Sequence, residues 1–460
     1  MRRAFKGEIT IFLSLIFSVL LIVVLGLWES SLYYLQKSHI ENNMSMAGNS
    51  LLSEYNKTLW EKYSLFVIDS SYRGKTAQTG NMTAHAQNYI EENLNGSGQS
   101  KKKITENSIE VVDIGYATDN SCEALYEQIM DVMELEDVKE ELEISISDEE
   151  QRYVADRLKK SHATWEEFLE EWDFALENSL CESEEYFNPS KRIRENVEGD
   201  IDFLFRKYCP KIPVEEDNID VTGEPKEVDD ANLTDIAGEN CGDKLARYIC
   251  QKCTCMTKPG DSCSCPYEAE YILGGENLEK ATAGEFLNKL MGILAERNYR
   301  YLLSNNYMYL EAEKEAEHLL EKIENENLEV YVRTSLIAAW AYTEAYLELE
   351  GLLSGERIDY FYPENTWRIS IEDLTEYGSF EVLPSREGIN YEDLVYIDLK
   401  WSDKKGVLKR FSNVAERNVR LIDESGFDMD KSITSFSIMA DMRLLGWKNT
   451  NIVRKYGYLE

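Results

Sequence analysis

The sequence predicts an α+β protein in which an N-terminal transmembrane helix continues into a long stem helix, followed by a helix-rich ectodomain with a small, mostly antiparallel sheet. Three observations predict it. Residues Ile9–Trp28, ITIFLSLIFSVLLIVVLGLW, form an apolar run of 20 residues without a charge. Beyond them, long stretches repeat apolar residues at the spacing of an amphipathic helix. A few short stretches alternate apolar and polar residues instead, the period of a half-buried strand.

A helix rising about 1.5 Å per residue needs roughly 20 residues to cross a hydrocarbon core about 30 Å thick. Arg2, Arg3 and Lys6 precede the run, so the positive-inside rule keeps the N-terminus cytoplasmic and carries the rest across. The expected location is the cell membrane, single-pass, with the bulk of the chain extracellular and the bilayer contacted through residues 9–28. A cleaved secretory signal is the competing reading. Such signals carry an apolar region of about 7–15 residues and a small-x-small cleavage site; this run is longer and ends in Leu27 and Trp28 before Glu29, which favours an anchor. Trp28, Tyr33 and Tyr34 suit an interfacial aromatic belt. Ser14, Ser18 and Gly26 are small enough for a helix–helix contact in the bilayer, although a plain anchor explains them as well.

The formal net charge is −37, from 49 Lys and Arg against 86 Asp and Glu. That argues against binding nucleic acid or an anionic bilayer face, both of which call for basic patches. With 43% hydrophobic residues and 28 Tyr, the chain can still bury a sizeable core, and 8 Pro with 25 Gly exclude a collagenous stalk. The expected organisation is a cytoplasmic tip and anchor over 1–28, a stem helix and first strands over 29–120, an acidic helical, cysteine-bearing insert over 121–265, and an α+β part over 266–460 that packs with 29–120.

From Glu29 to about Lys62, Leu32, Leu35, His39, Met46, Leu52, Tyr55, Leu59 and Tyr63 recur at roughly helical spacing without a Pro, so one helix leaves the bilayer as a stem. Strands are expected at Tyr63–Asp69, Ile104–Ala117, Pro266–Leu273 and from Ile433 towards Met442, with hairpin-type structure over Arg357–Ile371. Helices are expected near Ala84–Asn93, through the acidic stretch Ser121–Phe205, and over Glu276–Leu303, Tyr309–Glu324, Leu328–Leu353, Tyr391–Lys400 and Lys404–Glu424. Pro210–Asn240, acidic and poor in aromatics, reads as a mobile loop.

The sharpest local pattern is Cys250-x2-Cys253-x-Cys255-x7-Cys263-x-Cys265. Four thiolates in two close pairs can hold zinc, but the gap here is shorter than in a zinc ribbon. On an exported chain the same residues more readily staple a loop by disulfides, and disulfides are the favoured reading. The total of nine Cys is odd, so at least one thiol is left over. No catalytic residue and no cofactor is expected. His39, His85, His162 and His318 form no metal-binding motif; His318-Leu-Leu-Glu321 has ligand-like spacing without further partners. Glu268 and Glu270 are of the type used in glycoside chemistry, yet among 86 acids chance pairs abound. Phosphate loops, dinucleotide turns and nucleophile elbows are absent.

Lys6-Gly-Glu-Ile-Thr-Ile-Phe-Leu-Ser-Leu-Ile-Phe17, the hydrophobic helix, Glu29-Ser-Ser and Ser50-Leu-Leu-Ser-Glu-Tyr-Asn-Lys-Thr-Leu-Trp-Glu-Lys-Tyr-Ser-Leu-Phe66 resemble the opening of the tight-adherence (Tad) pilus pseudopilins and their TadE- and TadG-like relatives. More closely, the chain resembles a Bacillota family known as a domain of unknown function, encoded among Tad-type pilus and secretion genes. Similar blocks are Tyr267-Glu-Ala-Glu-Tyr-Ile-Leu-Gly-Gly275, Glu296-Arg-Asn298, Ala338-Ala-Trp-Ala-Tyr342 with Glu344, and Gly388-Ile-Asn-Tyr-Glu-Asp393. The resemblance covers roughly 1–75 and 266–425 and leaves out the acidic middle. It implies an envelope component of a pilus or secretion apparatus. Together with the lack of catalytic motifs, the expectation is a membrane-anchored, non-enzymatic structural or interaction protein, an accessory or pseudopilin-like part of a Tad-type apparatus, with partners in that apparatus and no small-molecule substrate evident in the sequence. One departure limits it: the fifth residue after Gly7 is Phe12, with Glu8 directly adjacent, so prepilin processing and polymerisation through a glutamate are not carried over. The rival expectation is an ectoenzyme or a metal- or redox-dependent module built around Cys250–Cys265.

Overall fold

The computed structural model describes residues 5–72, 79–96, 105–136, 144–160, 204–208, 241–258, 260, 265–274, 280–320, 329–376, 388–423 and 426–459. They fall into two compact units. One draws on Met1–Gln128 and Val419–Glu460, the other on Ile129–Val221 and Asp229–Asn418.

The first unit is built on one long helix. α1 runs unbroken from Phe5 to Leu52, 48 residues. Over residues 9–31 every position is exposed; from Gln36 a buried stripe begins and continues through Ile40, Asn43, Met44, Ala47 and Leu51. These positions are three to four residues apart, so they line one face. Its packed face is not the expected one, since Leu35 and Met46 are exposed, but the expected continuous helix holds as far as Leu52. There the helix stops and the chain turns into α2, Lys57–Tyr63, whose N-cap Asn56 accepts the Leu59 amide at 2.8 Å.

Next come α3, Thr79–Gly96, and β1, Thr105–Tyr116. β2, Ile433–Leu444, and β3, Lys448–Gly457, complete a three-stranded antiparallel sheet in the order β1-β2-β3. On β2, Phe436, Ile438, Ala440, Met442 and Leu444 are fully buried at every second position. They form one core with Ile40, Met44, Ala47 and Leu51 of α1 and Met82, Ala86 and Ile90 of α3. β3 has no counterpart among the expected strands because it is an edge strand with mostly polar, exposed residues and little alternation.

Tyr63–Asp69 is not a strand. The segment is extended, but its backbone is satisfied piecemeal. The Gln128 side chain takes both polar groups of Phe66 (2.7 and 3.0 Å), Val67 O accepts from Asn56 N, and only Ile68 bridges β2, at Ile433.

The second unit is helical. α4, Asp119–Glu136, enters it, and a helix α5 covers 148–160. Then follow α6 (Cys241–Lys252), α7 (Glu268–Gly274), α8 (Lys280–Ser304), α9 (Asn306–Leu320), α10 (Glu329–Leu353), α11 (Ile371–Glu376), α12 (Tyr391–Trp401) and α13 (Lys404–Asp423). α8, α9, α10 and α11 enclose a core around Trp340, Leu347, Leu302 and Ala312, and the Trp340 ring donates to Ile369 O at 2.8 Å. The expected loop over Pro210–Asn240 and the acidic helices over 161–203 lie outside the described residues.

Two further expectations are corrected. Pro266–Leu273 is the helix α7, not a strand: the apparent alternation took Glu268 and Glu270 for a solvent face, yet all of residues 268–273 are buried. Arg357–Ile371 is not a hairpin either. Ile358 pairs with distant Ile389, N to O at 2.9 and 2.8 Å, and Pro363–Asn365 is a single 3₁₀ turn. This pairing requires Gly388, at φ +102 with Ile358 O only 2.0 Å from where a Cβ would stand.

Gly48 lets α1 approach the sheet: a Cβ there would lie 2.3 Å from the Tyr456 ring. Gly48→Ala therefore costs about 1–3 kcal/mol through overpacking, against the gain of up to about 1 kcal/mol that Ala brings to a helix interior. Thermal unfolding of the purified chain measures it, and the same change in a Tyr456→Ala background is neutral or stabilising.

Candidate functional site

The cysteine cluster sits in a loop held by the two glutamates. α6 ends at Lys252, and Cys255 and Lys258 then form a tight bridge (2.9 and 3.3 Å). α7 presents Glu268 and Glu270, 0% and 1% exposed. Glu268 Oε2 accepts the Thr254 amide at 2.9 Å, and its Oε1 accepts from Asn418 at 2.6 Å. Glu270 Oε1 accepts the Met256 amide at 2.9 Å and the Tyr391 hydroxyl at 2.7 Å. The acids at positions 268 and 270 thus match the amides at 254 and 256 like rungs. Thr254 closes the loop further, donating from its hydroxyl to Cys265 O and accepting from Ala269 N, both at 2.9 Å. The two carboxylates are loop clamps, without the open face that glycoside chemistry needs.

Among the described residues Cys250, Cys255 and Cys265 stand as thiols, so the expected disulfides are not seen at these positions; Cys263 lies outside the described residues. Burial pushes all three thiols up. For Cys255 the result is about 12, burial being joined by the charge of Glu270. Raised in this way, the thiols are weak nucleophiles near neutral pH. No group of three His, Cys, Asp or Glu side chains among the described residues is arranged to hold a metal ion.

Other candidates resolve simply. His318 is exposed and 3.8 Å from Glu315, while Glu321 lies outside the described residues. In the apolar run, Ser14 donates to Ile11 O (2.8 Å) and Ser18 to Ser14 O (2.7 Å). Both hydroxyls are satisfied by their own helix. Trp28 and Tyr34 are exposed. Tyr33 is not simply an interfacial residue: its ring lies under Lys448 Nζ at 4.0 Å and its hydroxyl is 3.3 Å from Thr450.

Sequence reasoning missed two constellations. Glu54 gathers three groups that are far apart in sequence: His85 Nδ1 at 2.9 Å and the Tyr89 hydroxyl at 2.6 Å on Oε1, and the Tyr72 hydroxyl at 3.1 Å on Oε2. The second is a cleft of about 460 Å³ in the helical unit, which brings Arg157, Arg297 and Arg300 together with Glu296. Tyr153, Tyr301, Tyr360 and Phe361 supply its aromatic walls. Arg297 is fixed from below by fully buried Glu348 on α10. Asn298 also donates to Glu348, at 3.0 Å. The block Glu296-Arg-Asn298 carried the signal, but not the distant residues it meets.

The model of a family described as a family of unknown function (DUF5702) matches residues 211–444, just over half of the chain. That stretch takes in the cysteine cluster, which the resemblance noted above had left out, and lies wholly beyond α1. No curated protein and no solved structure matches the chain.

Burial raises Glu270 from the ordinary 4.5 to about 7, with Glu268 adding to it against the pull of Met256 N and Tyr391. Its Oε2 has no partner among the described residues. The fold therefore prefers the protonated acid, and this contribution, whole below about pH 4.5, is lost as pH rises through 7. Relative to Glu270→Gln, the native chain should lose on the order of 3 kcal/mol across that window. Denaturant unfolding of both at pH 4.5 and 8 checks it, and a constant difference would contradict it.

Proposed function

Because the chain belongs to this family of unknown function, whose description names no activity or partner, we propose that it acts as a membrane-anchored structural and interaction protein. The N-terminus is cytoplasmic and the bulk of the chain lies outside. The apparatus it serves is a Tad-type pilus or secretion system, in which it is an accessory or pseudopilin-like part. The observation that carries the reading is the continuity of α1, one helix long and apolar enough to cross a membrane that goes on to fill a core. An exposed apolar stretch of that length has no stable place in water. Lys6 to Phe17 and Ser50 to Phe66, with their likeness to Tad pseudopilins, support the choice of apparatus. The burial of Cys255 and Cys265, which raises their thiols, counts against a redox module that needs an accessible thiolate at those positions.

The proposal makes three expectations together. The full-length chain stays in the membrane fraction after an alkaline wash, protease added to intact cells removes a C-terminal tag but spares an N-terminal one, and pilus assembly proteins co-purify from detergent. Phe17→Arg with Leu21→Arg, at about 3 kcal/mol of insertion cost each, should move the chain out of the membrane fraction. Persistence of the double variant in the membrane, or a C-terminal tag shielded in intact cells, refutes the anchor and orientation. Co-purification without any assembly protein refutes the apparatus.

A further inference from the structure

The cleft between α5, α8 and the Tyr360–Pro363 turn sets three guanidiniums beside aromatic surface. Arg157 on α5 and Arg300 on α8 share a single carboxylate oxygen, Glu296 Oε1: Arg157 Nη1 lies 3.0 Å from it, and Arg300 closes an i, i+4 pair with the same atom at 2.5 Å. Arg297 spends its charge on buried Glu348. Among the residues that line the cleft, three guanidiniums thus stand against Glu296, with Glu348 beneath Arg297 as the second carboxylate in direct contact, so the lining carries an excess of positive charge.

That charge is accessible. The Arg300 side chain is 54% exposed and that of Arg157 29% exposed, and among the described residues the Arg300 guanidinium meets only Glu296. A guanidinium has five N–H donors in a planar fork suited to a carboxylate or phosphate, so donors remain after Glu296 is served. The walls are held in place by the same cations. Arg157 lies 5.3 Å from the centre of the Tyr153 ring, Arg297 5.4 Å from that of Tyr360, and the Tyr153 and Phe361 rings are 6.2 Å apart. The volume, about 460 Å³, is that of a small-molecule site.

From this geometry we propose that the cleft binds a compact organic anion, a carboxylate or phosphate carried on a six-membered ring with a face that can stack: the ring lies along Tyr153 and Phe361 and the anionic group takes the free donors of Arg300 and Arg157. An aromatic acid and a sugar acid share this chemistry. The proposal stands apart from the membrane role, since it rests on residues of the helical unit alone.

Calorimetric titration of the detergent-purified full-length chain tests it with benzoate, phenyl phosphate and glucuronate, each against its neutral counterpart, benzyl alcohol or glucose. At least one anionic probe should bind about ten-fold or more tightly than its neutral counterpart, weaken with added salt, and lose about ten-fold in affinity in Arg300→Gln. Preference for benzoate and phenyl phosphate identifies an aromatic acid, and preference for glucuronate a sugar acid. Arg300 is largely exposed, so its variant should unfold at the native temperature; if it does not, Tyr153→Ala repeats the test on the ring wall. Equal binding of neutral and anionic probes, undiminished binding in these variants, or no binding of any probe overturns the proposal.

Discussion

Ile40, Met44, Ala47 and Leu51 lie on one face of α1 and pack without solvent exposure into the core formed by alternate residues of β2 and by α3. The same helix, with no break between, is exposed on every side over residues 9–31. A helix has one axis, so whatever fixes the apolar half also fixes the sheet built on the other half. The sheet depends on it in turn: β3 is an edge strand, and Gly48 on α1 admits Tyr456 of β3 at a distance that no larger residue allows. Gln36 adds a polar tie by accepting the Leu445 amide at 2.9 Å in the β2–β3 turn.

The helical unit is organised differently, around buried acids. Glu344 and Glu348 on α10 are both fully buried, one turn apart. Glu344 receives the amides of Arg368 and Ile369, each at 3.0 Å, while Glu348 receives Arg297 and Asn298. Burial, and then the neighbouring charge of Glu348, raise Glu344 well above the usual carboxylate range. Glu268 and Glu270 do the same for the cysteine loop. Buried carboxyls of this kind specify which amides meet which helix, since leaving either side unpaired costs more than the bond returns. The acidity of this chain is therefore only partly a solvated surface; part of it is internal scaffolding.

How much of this was legible follows from the range of each signal. The apolar run of α1, its continuation as a helix and the helices α8, α9, α10, α12 and α13 were written in local composition and periodicity, which a single segment carries by itself; the buried face of α1 was not, since Leu35 and Met46 are exposed. β2 was legible for the same reason. Pro266–Leu273 misled because Tyr267, Tyr271, Glu268 and Glu270 alternate as a half-buried strand does, and nothing in the segment reveals that distant Asn418 and Tyr391 supply partners for the acids. Arg357–Ile371 failed similarly: its pairing partner, Ile389, is on another stretch of chain. The cleft was invisible, because Arg157 and Arg300 become a site only when α5 and α8 pack together. Asn390 shows the opposite case, a local motif with a local reward: it forms a capping box with Asp393 on α12, as the block Gly388–Asp393 contains both members.

Spin labels placed one at a time along α1 in a lipid nanodisc, with accessibility to oxygen and to a water-soluble nickel relaxer measured at each, address the shared helix directly. The account predicts high oxygen access and low nickel access around the whole circumference over residues 9–28. From residue 36 onward it predicts a switch to helical periodicity, with minima of both relaxers at positions 40, 44, 47 and 51. Nickel access throughout 9–28, or loss of the periodicity beyond residue 36, would contradict a single helix that is lipid-embedded in one half and core-forming in the other.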